Sequence, residues 1–310
     1  MGAQLRVYRR RIRSVQSTRK ITKAMELIAA SRIVKAQARM TAARPYAEEL
    51  TRALAALGKN ATVVHPMLTG VDNPRRAGIL LITSDRGLAG GYSVNALKAA
   101  NELADRLRAE GKEPVRYVIG RKGVAYYRFR RIELGGSWTG FSEQPNFADA
   151  RDATETLVSA LLATSENESN GQPGIDELHV VYTRFASMVS QTPTVVQVSP
   201  VKVDEVTQDQ DAASAEGPQP MYDFEPEPAE LLKVLLPRYI SARIYSALLE
   251  SAASESAARR RAMKSASDNA QELIRTYTRL ANQARQAEIT QEISEIVGGA
   301  DALAAAGREQ

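Results

Sequence analysis

The sequence predicts a long antiparallel coiled coil, made by helices at the two ends of the chain, with an α/β domain inserted between them. Three observations carry this. Near the N-terminus apolar residues recur at alternating spacings of three and four: Leu5, Tyr8, Ile12, Val15, then Ala29, Ile33, Ala36, Met40, Ala43, Ala47, Leu50, Leu54 and Leu57. Near the C-terminus the same spacing returns through Met263, Ala266, Ala270, Leu273, Tyr277, Leu280, Ala284 and Ala287. Between them the period changes to short apolar runs separated by amphipathic stretches. A sustained 3.5-residue period keeps one seam facing a partner helix. Two such helices at opposite termini can pair with each other, antiparallel.

The first helix is expected over residues 1–58, with Pro45 its one interior obstacle. At 1.5 Å per residue it reaches roughly 80 Å. Proline removes an amide donor and costs about 3 kcal/mol inside a helix, so a bend or break is expected there. The heptad also falters at Arg19, Thr22 and Glu26, with Ile21, Met25 and Ile28 supplying the local apolar stripe instead. This predicts a register shift that turns the polar stretch TRKITKAME away from the partner helix.

From residue 77 the pattern is α/β. GILLIT (78–83) and VRYVIG (115–120) read as buried strands, and LHVVYTRF (178–185) and TVVQVSPV (194–201) as alternating ones. Helical patterns follow the first two strands, and a third amphipathic helix occupies 147–163. Strands alternating with helices indicate a Rossmann-like α/β domain over 77–205. TSENESNGQPG (164–174) reads as a surface loop, and residues 206–227 as a low-complexity connector. The last helix is expected over 228–298. Pro228 suits its first turn, Pro237 should kink it, and Gly298 and Gly299 should end it, leaving 299–310 as a tail.

Composition narrows the function. There is no cysteine, which excludes disulfides and thiolate-held metals. Only His65 and His179 are present, and no metal-ligand spacing occurs. No apolar run approaches the roughly 20 residues of a membrane span. The N-terminus lacks the apolar core of a secretion signal, so a cytosolic location is expected. The net charge of +5 hides an asymmetry. Residues 1–40 hold Arg6, Arg9, Arg10, Arg11, Arg13, Arg19, Lys20, Lys23, Arg32, Lys35 and Arg39 against the single Glu26. Such a helix fits nucleic acid, anionic lipid or an acidic protein surface, against the bland reading of a solvated basic face.

SDRGLAGGYS (84–93) follows a strand and opens a helix, where phosphates often bind. It matches neither G-x-G-x-x-G nor a Walker loop, and no Lys-Ser/Thr follows its glycines. Gly87, Gly90 and Gly91 allow another backbone to come close, which favours a protein contact. The acidic pairs Glu225/Glu227 and Glu292/Glu295 look like surface charge. In QARQAEITQEISEIV (283–297) the small seam residues make a thin tip, from which Arg285 and Gln286 project. An α/β nucleotide enzyme with helical arms and a nucleic-acid-binding coiled coil are the rival classes. The first needs a phosphate loop, and the second predicts salt-dependent DNA affinity.

Three stretches bring a family into view: RIRSVQSTRKITKAMELIAASR (11–32), TSDRGLAGGYSVN (83–95), and ASESAARRRAMKSASDNA (253–270) continuing into NQARQAEITQEISEIVGGA (282–300). In order and position they closely resemble the gamma subunit of bacterial F-type ATP synthases, over essentially the whole chain. The resemblance implies a central rotor shaft without catalytic site or cofactor. It couples proton translocation to ATP synthesis, on the cytoplasmic side of the cell membrane as a peripheral part. Its implied partners are the alpha and beta subunits, the epsilon subunit and the membrane c-ring, with no nucleic acid and with membrane association only through the complex. Ile21, Lys23 and Met25, with Arg86, Gly87 and Leu88, would meet the acidic lever loop of beta. Arg285 and Gln286 would meet its catch loop, with Thr290 and Glu292 nearby. Tyr222, Phe224 and Glu225 would face the c-ring, below an α/β foot.

The chain departs from many relatives at Ala89, where they carry Cys, and at Ser93, where they carry Asn. The regulatory cysteine pair of chloroplast relatives is missing. The 164–174 and 206–220 stretches are longer than in many relatives, as regulatory elements or inert insertions.

Overall fold

The computed structural model describes residues 2–60, 66–169, 172–201 and 227–306. These divide into two units, Ala29–Arg259 and the pair Met1–Ile28 with Arg260–Gln310. Helix α1 covers Gly2–Asn60 and the last helix, α6, covers Pro228–Ala306, so each contributes to both units.

In the larger unit a five-stranded sheet forms from β1 (Arg76–Ile82), β2 (Glu113–Ile119), β3 (Gly136–Trp138), β6 (Glu177–Phe185) and β7 (Gln191–Ser199). Their order is β3-β2-β1-β6-β7. All neighbours run parallel except β7, which returns antiparallel to β6. Helices α3 (Tyr92–Ala109), α4 (Arg121–Phe129) and α5 (Phe147–Ala163) make the crossovers, as parallel strands require. A one-turn helix α2 (Pro66–Thr69) precedes the sheet.

Both faces of the sheet are covered, which explains why GILLIT is apolar throughout rather than alternating. Ala77, Ile79 and Leu81 face Ala96, Ala100, Leu103 and Leu107 of α3 and Tyr127 of α4. Leu80 and Ile82 face the other way, toward Leu157 of α5, Leu54 and Leu57 of α1, and Leu236, Ile240 and Ile244 of α6. Each of these leucines contributes about 1.5–3 kcal/mol by leaving water. Asp176 fastens the start of the sheet: its carboxylate accepts the amides of Arg75 at 2.7 Å, Arg76 at 3.0 Å and Ser165 at 2.8 Å. Burial works to raise its pKa, but these backbone donors win and hold it below the usual carboxylate range.

In the smaller unit the first part of α1 lies antiparallel to the last part of α6. Thr22 Oγ1 is 2.7 Å from Ser267 Oγ, Arg19 donates to Gln271, and the rings of Tyr8 and Tyr277 lie 6.4 Å apart. The register shift expected near Thr22 does not occur. Thr22 and Glu26 stay on the seam, 8% and 9% exposed, because the Ser267 hydroxyl and the Lys23 ammonium satisfy their polar groups. Ile21, Leu27 and Ile28 are the residues left in solvent. On α6 the seam passes through Met263, Ser267, Ala270 and Ala281, and Leu273 lies off it, 45% exposed.

Other local expectations are also corrected. Helix α1 is not broken at Pro45, which sits on an exposed face where solvent can take the bond that proline leaves unmade. Helix α6 continues past Gly298, since glycine costs only about 1 kcal/mol in a helix and strong helix formers follow in ADALAAA. The 164–174 loop contains a small antiparallel pair, β4 (Glu168–Ser169) with β5 (Gln172–Pro173). Tyr222, Phe224, Glu225 and His65 lie outside the described residues.

Candidate functional site

The turn after β1 is fixed from several directions. Thr83 closes the strand: its amide donates to Ile119 O at 2.8 Å, and its Oγ1 accepts the amide of Gly123 at 3.0 Å. The second crossover presses on this point. Gly120 has φ +102, and a Cβ there would lie 2.1 Å from Thr83 O, so only glycine fits. Ser84 and Ser93 share a hydroxyl contact of 2.7 Å across the turn. Asp85 then accepts the amides of Arg121 at 3.1 Å, Gly140 at 2.8 Å and Ser142 at 3.0 Å.

Held this way, the tip projects. The Arg86 side chain is largely exposed, and Leu88 is 62% exposed with φ +63. A leucine in the left-handed region is unusual, and such outliers gather at functional sites. Arg259 of α6 donates to Arg86 O at 3.3 Å and to Gly87 O at 3.3 Å.

Arg259 is the centre of a buried charge network. Its Nη2 is 2.7 Å from Glu255 Oε1, and its Nη1 is 3.1 Å from Glu143 Oε1. Glu143 also pairs with Arg32 of α1 and lies 3.7 Å from Arg86 Nη1. Burial pushes the Glu255 carboxyl up to about 7, against the pull of the Arg259 guanidinium. Small residues let α6 come this close: Ser251 and Ser254 bond the backbone of Thr183 on β6. None of Glu143, Glu255 or Arg259 was assigned a role from sequence. The available signal was Glu255 and Arg259 one helical turn apart within a run of serines and alanines.

The other expected contact residues fall in the smaller unit. Ile21 is 58% exposed, Met25 is half-buried, and Lys23 is tied 3.0 Å from Glu26. On α6, Arg285, Gln286, Thr290 and Glu292 are all exposed, and the Thr290 hydroxyl donates to Gln286 O at 2.9 Å. The remaining histidine, His179, is a buried strand residue 3.2 Å from Glu177. Among the described residues no group of acidic and histidine side chains could hold a metal ion, and no helix is long and apolar enough to cross a membrane.

Comparison with known proteins gives the arrangement a context. The family described as ATP synthase matches residues 4–303. The ATP synthase gamma chain of Saccharopolyspora erythraea is 57% identical, over 99% of this chain and 100% of that one. That of Acidothermus cellulolyticus is 58% identical over the whole of both. Among solved structures, a chain of the Euglena gracilis mitochondrial ATP synthase (OSCP/F1/c-ring, rotational state 3) has the same fold. Its TM-score is 0.64 at 16% identity, covering 98% of this chain and 95% of that one. Two terminal helices around one α/β domain, and an end-to-end identity of 57–58% to gamma chains, agree: the chain belongs to the ATP synthase gamma chain family.

Proposed function

We propose that this gamma subunit works as the rotating central shaft of its ATP synthase, carrying force between a membrane c-ring and the catalytic alpha and beta subunits, and catalysing nothing itself. The observation that carries this is the braced turn at Arg86–Leu88. A tip held by Asp85, by Arg259 and by a residue-specific glycine is built to push on a neighbour without yielding. Ile21, Lys23 and Met25 extend the same role on α1. All six would bear on an acidic lever loop of beta, which suits the basic N-terminal helix. Arg285, Gln286, Thr290 and Glu292 would meet a second beta loop. Tyr222, Phe224 and Glu225 would face the c-ring, with the epsilon subunit beside the α/β domain. The complex would place the chain at the cytoplasmic face of the cell membrane.

An asymmetric shaft presents different contacts to each catalytic site in turn. Differential contact energy is all that is needed to bias those sites between open and closed states. The test is a reversible crosslink. With Leu88→Cys opposite a cysteine in the acidic loop of beta, oxidation of the assembled complex should stop ATP hydrolysis, and reduction should restore it. Full turnover with the crosslink formed would overturn the shaft assignment.

A further inference from the structure

The connection between β6 and β7, residues 186–190, is not composed like an ordinary surface turn. Turns favour Gly, Asn, Asp, Pro and Ser, yet this stretch reads ASMVS, with Met188 and Val189 at its apex. All five residues are exposed, Val189 by 78%. The apex is nonetheless braced from within. The Ser187 hydroxyl accepts the amides of Val189 at 3.2 Å and Ser190 at 3.0 Å. The Ser187 amide donates to Ser190 O at 3.0 Å, and its carbonyl accepts Gln191 Nε2 at 2.7 Å. The strand beneath is tied to α6. Ser251 accepts the amide of Thr183 at 3.4 Å, Ser254 donates to Thr183 O at 2.9 Å, and the Glu250 carboxyl accepts the amide of Phe185.

The position of this tip selects its partner. Strand β6 is parallel to β1, with Val181 level with Leu81, so the hairpin leaves the same end of the sheet as the Arg86–Leu88 turn. It then runs on through Thr183, Arg184 and Phe185, about 10 Å further at 3.3 Å per residue. Residues 250–259 of α6 hold both projections, the turn through Arg259 and the hairpin through Glu250, Ser251 and Ser254. A body that bears on the turn therefore lies across from the hairpin as well. We propose that the Met188–Val189 tip is a second bearing of the shaft, riding on an apolar patch of the alpha and beta ring beside the acidic loop assigned to the Arg86–Leu88 turn. This rests on that assignment. The two tips differ in chemistry. Arg86 is flanked by Arg121 near Asp85 and by Lys122 beside Gly87, which suits carboxylates. Residues 186–190 carry no charge, so their contact is desolvation, which has no preferred direction. Such a tip can pass from one subunit surface to the next without breaking an ion pair.

The test uses the assembled complex. The chain has no cysteine of its own, so Val189→Cys can carry benzophenone maleimide at one place. Illumination should join it to the alpha or beta subunit, and ATP hydrolysis should fall with the fraction joined. Leu88→Cys with the same label is run in parallel. If Leu88→Cys labels beta while Val189→Cys labels epsilon alone, or no subunit, the tip's assignment is overturned and the shaft reading stands. If neither label reaches the ring, both fall. A second variant needs no label. Val189→Glu should leave the urea midpoint of the isolated chain unchanged, because the side chain is exposed. It should lower turnover of the complex at least about threefold, since a carboxylate pressed onto an apolar patch is penalised. Parent-like turnover would overturn the proposal.

Discussion

Arg259 holds Glu255 one helical turn away at 2.7 Å, and with the same guanidinium holds the carbonyl oxygens of Arg86 and Gly87. One buried side chain thus joins α6 to the exposed turn after β1. Buried ion pairs seldom add much stability over apolar substitutes, so such a pair is best understood as fixing position.

Arg259→Met should therefore destabilise the chain by about 3–5 kcal/mol, because Glu255 is left buried and unpaired. The double variant Arg259→Met with Glu255→Leu should recover most of that loss. Urea unfolding of the three proteins measures it. If the double variant is as stable as the parent yet its complex turns over slowly, position rather than stability is what the pair supplies.

Glu255 should also leave a mark on the pH dependence of stability. Burial raises its carboxyl from 4.5 to about 7, so between those values the folded chain binds more protons than the unfolded one. Its contribution is fully present below about pH 4.5 and is lost as pH rises through about 7. The span is on the order of 3 kcal/mol. Subtracting the urea midpoints of Glu255→Gln from those of the parent across this window should isolate a falling component. A flat difference would show that Arg259 keeps the carboxylate ionised throughout.

Two glycines of positive φ should respond differently to alanine. Gly120→Ala drives a methyl group to 2.1 Å from Thr83 O, whereas Gly111→Ala meets nothing within 4 Å at φ +81. Gly111→Ala should cost about 1 kcal/mol of backbone strain. Gly120→Ala should cost several times more and disturb the turn that follows Thr83. Thermal unfolding ranks them.

Thr22 and Ser267 test the polar seam. Thr22→Val alone strands the Ser267 hydroxyl and should cost about 1–2 kcal/mol, while Thr22→Val with Ser267→Ala should be close to neutral. Unfolding of the full chain compares them.

The long periodic elements were legible in the sequence, and so were the four main strands with the helices between them. Their apolar residues repeat often enough to outvote local exceptions. What escaped was whatever depends on a distant partner. Thr22 and Glu26 break the apolar pattern, yet they sit on the seam, Thr22 because a serine 245 residues away meets its hydroxyl and Glu26 because Lys23 pairs with its carboxylate. The network of Arg32, Glu143 and the Glu255–Arg259 pair joins three stretches far apart in sequence, and only the last pair has a local spacing that hints at it. Strand β3 is only three residues long and carries a glycine and a serine, so its pairing with β2 leaves no periodic trace. Of the expected contact residues, Arg86, Gly87 and Leu88 stood out by their glycine-rich setting. The clamp beneath them did not.

The extra length of α6 has a mechanical consequence. With Thr22 opposite Ser267, the first residues of α1 fall opposite about residue 287, and α6 goes on to Ala306. Over the final stretch, nearly 30 Å at 1.5 Å per residue, no described residue of α1 lies beside α6. Two helices locked side by side resist winding far better than one. A twisting load applied below residue 287 is shared by both strands, while the same load at the tip would be spent in coiling a lone helix. In the proposed shaft such a tip would serve to centre, and the drive would pass through the paired segment beneath it.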